Sequence, residues 1–208
     1  MSATAPAIAN SRPLLRQVGW VLLWVGAILA AANAVLFMNI AAYGHPGIKA
    51  RFLATEIAAW AHTMGGAIAV LIGPWQLLTR LRARRPRLHV WMGRVYLLAV
   101  LGGALGGLYF APTSVGGAPG MLGFSVLAGV WLATGAMAYS TIRRGDVRSH
   151  RRWMIRNYAL TFAAATLRIE LGAMQLAGVS FATAFAIVAW SSWVLNWAAV
   201  EVWLRRHP

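Results

Sequence analysis

An all-α, polytopic membrane bundle with six transmembrane helices is the fold this sequence predicts, and three observations predict it. Sixty per cent of its 208 residues are hydrophobic and only 11% are charged, with a mean hydropathy of +0.62. That composition belongs to a chain that lives in lipid and not to a soluble domain with a buried core. The apolar residues fall into uncharged or nearly uncharged runs of about 20, the length that crosses a hydrocarbon layer of ~30 Å. Between the runs, most basic residues gather on alternate connections, the signature of a fixed orientation across a bilayer.

Taken in order, the first residues are small and polar and carry Arg12 and Arg16, and the first helix is predicted at 17–43. It is too long for the apolar segment of a cleaved signal peptide. The remaining five are predicted at 57–78, 91–111, 121–142, 154–177 and 181–204. No connection is long enough to be a domain, so residues 1–208 read as a single integral membrane domain. Pro86 fits the first turn before the third predicted helix, where its missing N–H is not needed, and Asp146 or Ser149 fits the cap of the fifth. Gly73-Pro74 predicts an interruption of the second helix, because proline removes one backbone hydrogen bond. The stretch after Ala111 reads as a plain turn.

The formal charge of +15 raises the question of nucleic acid, and its placement answers it. The arginines lie between apolar runs and not along one exposed face, so they are topology signals and no nucleic-acid partner is expected. Sixteen of the nineteen basic residues fall on one side of a six-span layout. This predicts a multi-pass protein of the bacterial inner membrane with both termini cytoplasmic. Anionic lipid head groups are the expected partners of those loops. The absence of cysteine excludes disulfides, thiolate metal sites and a cysteine nucleophile. Most of the eleven tryptophans sit near helix ends, where an aromatic belt places them.

A motif recurs. Trp-Met-x-Arg-x-Tyr occurs at Trp91–Tyr96 and again at Trp153–Tyr158, each time after an arginine-rich loop and a histidine, His89 or His150. Each copy lies between two apolar runs, which predicts a duplicated unit of helix, basic loop and helix. Helical steps of three and four group the polar residues into inward faces. His89 shares a face with Gly93, Tyr96, Gly103 and Gly107; His150 with Met154, Asn157, Thr161, Ala164 and Arg168; His62 with Gly66, Ala69, Gly73, Gln76 and Arg80.

The glycine face beneath His89 admits two readings: room for a flat macrocycle, or close helix packing through paired G-x-x-x-G spacings at Gly102, Gly103, Gly106 and Gly107. His89 and His150 are expected at one depth on two helices, as axial ligands of a haem iron must be. Gly93 would then lie beneath the ring, and Arg94 and Arg156 would suit its propionates. The alternative is that both histidines are interfacial residues beside lipid phosphates. His62, Gln76, Arg168 and Glu170 are the remaining intramembrane polar candidates, and such residues are functional candidates by default.

On His62, Gly73-Pro74-Trp75-Gln76, the two histidine–arginine–tyrosine motifs, Gly145-Asp146 and Leu167-Arg168, the chain resembles a bacterial family of predicted membrane proteins to which no activity is assigned. More distantly it is similar to the b-type haem cytochromes of the membrane. That likeness implies one bis-histidine haem b at His89 and His150, because no histidine of the fourth predicted helix can partner His62. It further implies electron transfer, with quinone or a redox protein as partner. A small transporter and a haem-free scaffold or assembly factor are the alternative functions, and whether the chain is an enzyme stays open.

Overall fold

A computed structural model of the chain describes residues 12–40 and 42–207, and these form eight α-helices and one 3-10 turn. The helices are α1 (Arg12–Asn39), α2 (Pro46–Leu53), α3 (Glu56–Leu77), α4 (Thr79–Arg84), α5 (Pro86–Phe110), α6 (Gly117–Arg143), α7 (Val147–Leu176) and α8 (Phe181–Arg206). Residues 1–11, part of the polar stretch ahead of the first expected span, lie outside the described residues, as does residue 41 near the end of that span. The six long helices run up and down between short connections. One end of the bundle therefore collects the arginine-rich segments at 80–87 and 143–152, here called the basic end, and the other end is the far end.

Each long helix covers one of the six expected spans, but the boundaries differ from expectation at the basic end. Helix α5 begins at Pro86 and α7 at Val147, several residues before the apolar runs start, because each has a local start signal. Proline occupies the first turn of α5, and the Asp146 carboxylate accepts a bond from the Ser149 N–H at 2.9 Å. Two short helices were not foreseen. Helix α2 begins at Pro46 behind a His45 side chain that accepts from the Gly47 N–H, and α4 winds the arginines of 79–84 into a turn and a half. The expected plain turn after Ala111 contains a 3-10 turn, Ala111–Thr113.

Five of the long helices, α1, α3, α5, α6 and α8, are long and apolar enough to cross a membrane. Helix α7 is not apolar enough, which departs from the expectation of six apolar spans. Starting at Val147 brings four arginines into its first three turns, and Asn157, Arg168 and Glu170 follow. Arg148 and Arg151 are exposed at its start, and it carries the groups further along because it packs against α1, α3, α6 and α8, so that Asn157 is buried and Arg156, Arg168 and Glu170 bond to other side chains.

The tightest pair is α3 with α5, and it is built on glycine. A side chain at Gly65 would meet the Ala99 carbonyl and the Gly103 nitrogen at 2.7 Å, and one at Gly106 would meet the Ala58 carbonyl at 2.6 Å. Backbone therefore touches backbone, the packing role of G-x-x-x-G spacings in membranes.

Helix α3 continues through Gly73-Pro74 where an interruption was expected. Pro74 has no N–H to give the Val70 carbonyl one turn back, and in lipid an unmet carbonyl is costly. The Tyr158 hydroxyl of α7 donates to that carbonyl at 3.1 Å. Its ring lies where a side chain on Gly73 would stand, so that a Cβ added there would collide with the ring carbons. Glycine makes the slot and proline frees the acceptor, so the two residues together receive one tyrosine.

Candidate functional site

The mid-depth of the bundle holds a closed polar network. Asn157 of α7 is fully buried and its Nδ2 donates to the Trp131 carbonyl at 2.7 Å and to Thr134 Oγ1 at 2.8 Å. That fixes the amide, so Oδ1 faces the Tyr96 hydroxyl, which donates to it at 2.7 Å. Thr161 lies 2.8 Å from the same hydroxyl, accepts from Trp131 Nε1 at 2.9 Å and donates to the Asn157 carbonyl. Helices α5, α6 and α7 are thus joined through side chains whose hydrogen-bonding capacity is used.

Towards the basic end, His89 and His150 stand in the first turns of α5 and α7 and are electrostatic neighbours. His150 Nδ1 donates to the Ala138 carbonyl at 2.8 Å, leaving its Nε2 as an acceptor. His89 Nδ1 is buried with no hydrogen-bond partner among the described residues, and so is Gln76 Nε2. The other expected haem-site residues are arranged differently from the expectation. The space over Gly93 holds the Gln76 side chain, whose Oε1 lies 3.2 Å from the position of a Cβ. Arg94 is exposed. Arg156 is committed to Glu201, with its Nε 2.5 Å and Nη2 3.0 Å from the carboxylate, and it lies 4.8 Å over the Trp153 ring. Neither of the two cavities described for this structure reaches His89 or His150. The glycine face runs elsewhere too: Gly106 and Gly107 make room for His62, and Gly103 for the Trp131 ring, and not for a ring beside His89.

The larger cavity, about 710 Å³, occupies the far half of the bundle between α1, α3, α5, α6, α7 and α8, beside α2. That volume suits a drug-sized ligand. His62 lines it, with Nδ1 donating to the Gly103 carbonyl at 2.8 Å and Nε2 left as an acceptor. Arg168 lines it as well, half-buried, with Nε donating to Asn33 Oδ1 at 2.7 Å and Nη1 to the carbonyl of Ala164. Asn33 is oriented in turn by its bond to the Tyr43 hydroxyl at 2.7 Å. Ser192 Oγ, on α8, is fully buried at the cavity wall with no partner among the described residues. The rest of the wall is mainly apolar and aromatic, and Phe52 and Phe110 stack at 4.0 Å beside His62.

Of the intramembrane polar residues singled out by sequence, the cavity brings His62 and Arg168 together. Glu170 points away from Arg168 and accepts from Ser191 of α8, and Gln76 lies at the other end against α5. Asn33, Tyr43, Arg51 and Ser192 were missed. Asn33 carried a signal, as the polar residue with an amide in the otherwise apolar middle of α1.

Long apolar helices, a polar helix at their centre and a cavity within one half define a polytopic α-helical membrane protein. The chain belongs to the family described as predicted membrane protein (DUF2306), whose pattern matches residues 59–204, from early α3 to late α8. No curated protein and no solved structure matches it.

Proposed function

We propose that this is a six-span protein of the bacterial inner membrane that binds a small, largely apolar molecule in the half of its bundle facing away from the cytoplasm. In this reading residues 1–208 form one integral domain with both termini cytoplasmic. The observation that carries the binding reading is the cavity of about 710 Å³, walled by apolar and aromatic side chains with a few convergent polar groups. The orientation rests on the sixteen basic residues that share one side. Anionic lipid head groups are the partners that the exposed arginines of 80–87 favour, and nucleic acid is not. A quinone would suit the apolar wall. A transporter would need the same cavity to open to the basic end as well, and a pure scaffold gives the cavity no role.

Organic extraction of the protein purified in nanodiscs, followed by mass spectrometry, tests binding. One species is expected near stoichiometry, and Ala164→Trp, which fills the cavity from α7, should lose it. Equal recovery from both proteins would overturn the reading. Reporter fusions after Arg84 and after Gly117 test orientation and should give opposite signals; matching signals would overturn the six-span layout.

A second reading keeps one b-type haem between His89 and His150, in a protein that passes electrons to a quinone or a redox protein. The unpartnered Nδ1 of His89 and the free Nε2 of His150 favour it, since both are lone pairs an iron would take. The commitment of Arg156 to Glu201 weighs against it. Purified protein should then show sharp α and β bands on dithionite reduction, abolished by His89→Ala or His150→Ala and unchanged by His62→Ala. A colourless preparation from cells with ample haem would sink this reading.

A further inference from the structure

We infer that the ligand of the far-half cavity is an amphiphile with a carboxylate head, a medium- or long-chain fatty acid in chemical class, whose head pairs with Arg168. This rests on the reading of the cavity as a binding site and adds the chemistry of what binds. An arginine at that depth is expensive unless it is paired, and this one has no acidic partner among the described residues. All four acidic residues of the chain are occupied or placed elsewhere: Glu56 beside the smaller cavity, Asp146 at the cap of α7, Glu170 on Ser191 and Glu201 on Arg156. No acidic side chain among the described residues lines the large cavity, while Arg51 and Arg168 do.

The geometry around Arg168 is that of a prepared donor. A guanidinium offers five N–H groups, and two are taken, both by neutral acceptors that hold the fork in place. The donors that remain match the two oxygens of a carboxylate. The second, independent sign is Ser192, a residue of the cavity wall whose buried hydroxyl has no partner among the described residues. A buried hydroxyl left unmet costs free energy, and a ligand oxygen would meet it. On another part of the wall, His62 Nε2 is an acceptor and gives the protonated acid or a hydroxylated chain a place to donate. Behind the polar groups, Phe52, Phe110, Phe124, Phe181 and Phe185 offer an apolar bed for the tail.

The test compares decanoate with decanol at pH 7, by calorimetry and native mass spectrometry, on the full chain in phosphatidylcholine nanodiscs with empty nanodiscs as blank. Decanoate should bind at least about tenfold more tightly than decanol. Arg168→Gln should erase that preference, weakening decanoate by about ten- to a hundredfold while leaving decanol unchanged. Arg168→Lys, which keeps the charge and loses the fork, should fall between. If decanol binds as well as decanoate to the wild-type protein, the head-group inference is overturned and the binding reading stands. If neither binds, both fail. The comparison on wild-type protein decides even where Arg168→Gln does not fold.

Discussion

The two copies of Trp-Met-x-Arg-x-Tyr open two helices in the same way and then diverge at every position but one. In the first copy Trp91 and Arg94 are exposed, His89 Nδ1 has no partner among the described residues and α5 starts on a proline. In the second, Trp153 lies under Arg156, Arg156 pairs with Glu201, His150 is anchored on Ala138 and α7 starts on an aspartate cap. Only the tyrosines agree in being buried, and they serve different ends: Tyr96 joins the Asn157 network, whereas Tyr158 supplies the bond that Pro74 withholds from Val70. The difference follows from place. The second copy lies on the central helix, packed on several sides, and the first on a helix with one face outward. The same four residues at one spacing therefore give a dense polar joint in one setting and a largely exposed helix start in the other.

The largest effect should come from making the second copy like the first. Asn157 stands where the first copy has Val95, and Asn157→Val would remove the amide acceptor of the Tyr96 hydroxyl and the amide donor to the Trp131 carbonyl and Thr134. It should destabilise by about 2–3 kcal/mol, read as a lower unfolding midpoint in detergent. A neutral result would mean that the network contributes geometry and not stability.

Next comes the tyrosine–proline pairing. Tyr158→Phe should cost about 1 kcal/mol in the natural chain and much less in a Pro74→Ala background, where the new alanine can give the Val70 carbonyl a backbone N–H of its own. A double-mutant cycle with no coupling would show that Tyr158 acts by filling the Gly73 slot alone.

Arg156→Leu should cost about 0.5–1 kcal/mol, and less at high salt, while Arg94→Leu should be silent. Equal effects would show that the exposed copy has a partner of its own.

The smallest effect concerns the two helix starts. The Ser149 hydroxyl and backbone N–H hold the Asp146 carboxyl below its ordinary pKa. Its cap therefore stabilises the fold above the ordinary carboxylate pKa, and the effect fades as pH falls through the lowered one. Asp146→Asn should flatten that part of the pH profile of the unfolding midpoint; a profile unchanged by the substitution would remove Asp146 from it.

The long helices were legible because a run of apolar residues is its own evidence, and the inward faces because helical spacing survives in lipid: Met154, Asn157 and Thr161 are buried as the His150 face required. Helices α2 and α4 were not legible, being short and mixed in composition. The cavity was not legible either, because it is space between helices. His62 and Arg168 meet across it only through the packing of α1 and α7 against α3, and no local pattern encodes that. Glu201 was overlooked for a related reason. Its partner lies on another helix, and nothing near it in sequence marks the pair.

The glycine contact of α3 with α5 has a mechanical consequence. Helices slide past one another by re-fitting the side chains between them, and here, at Gly65 and Gly106, there is no such layer to re-fit. These two helices form a stiff plate that holds His62 at a fixed position on one wall. Any breathing of the cavity falls to the opposite wall, to α1 and to α7 with Arg168, where side chains intervene and rotamers can change.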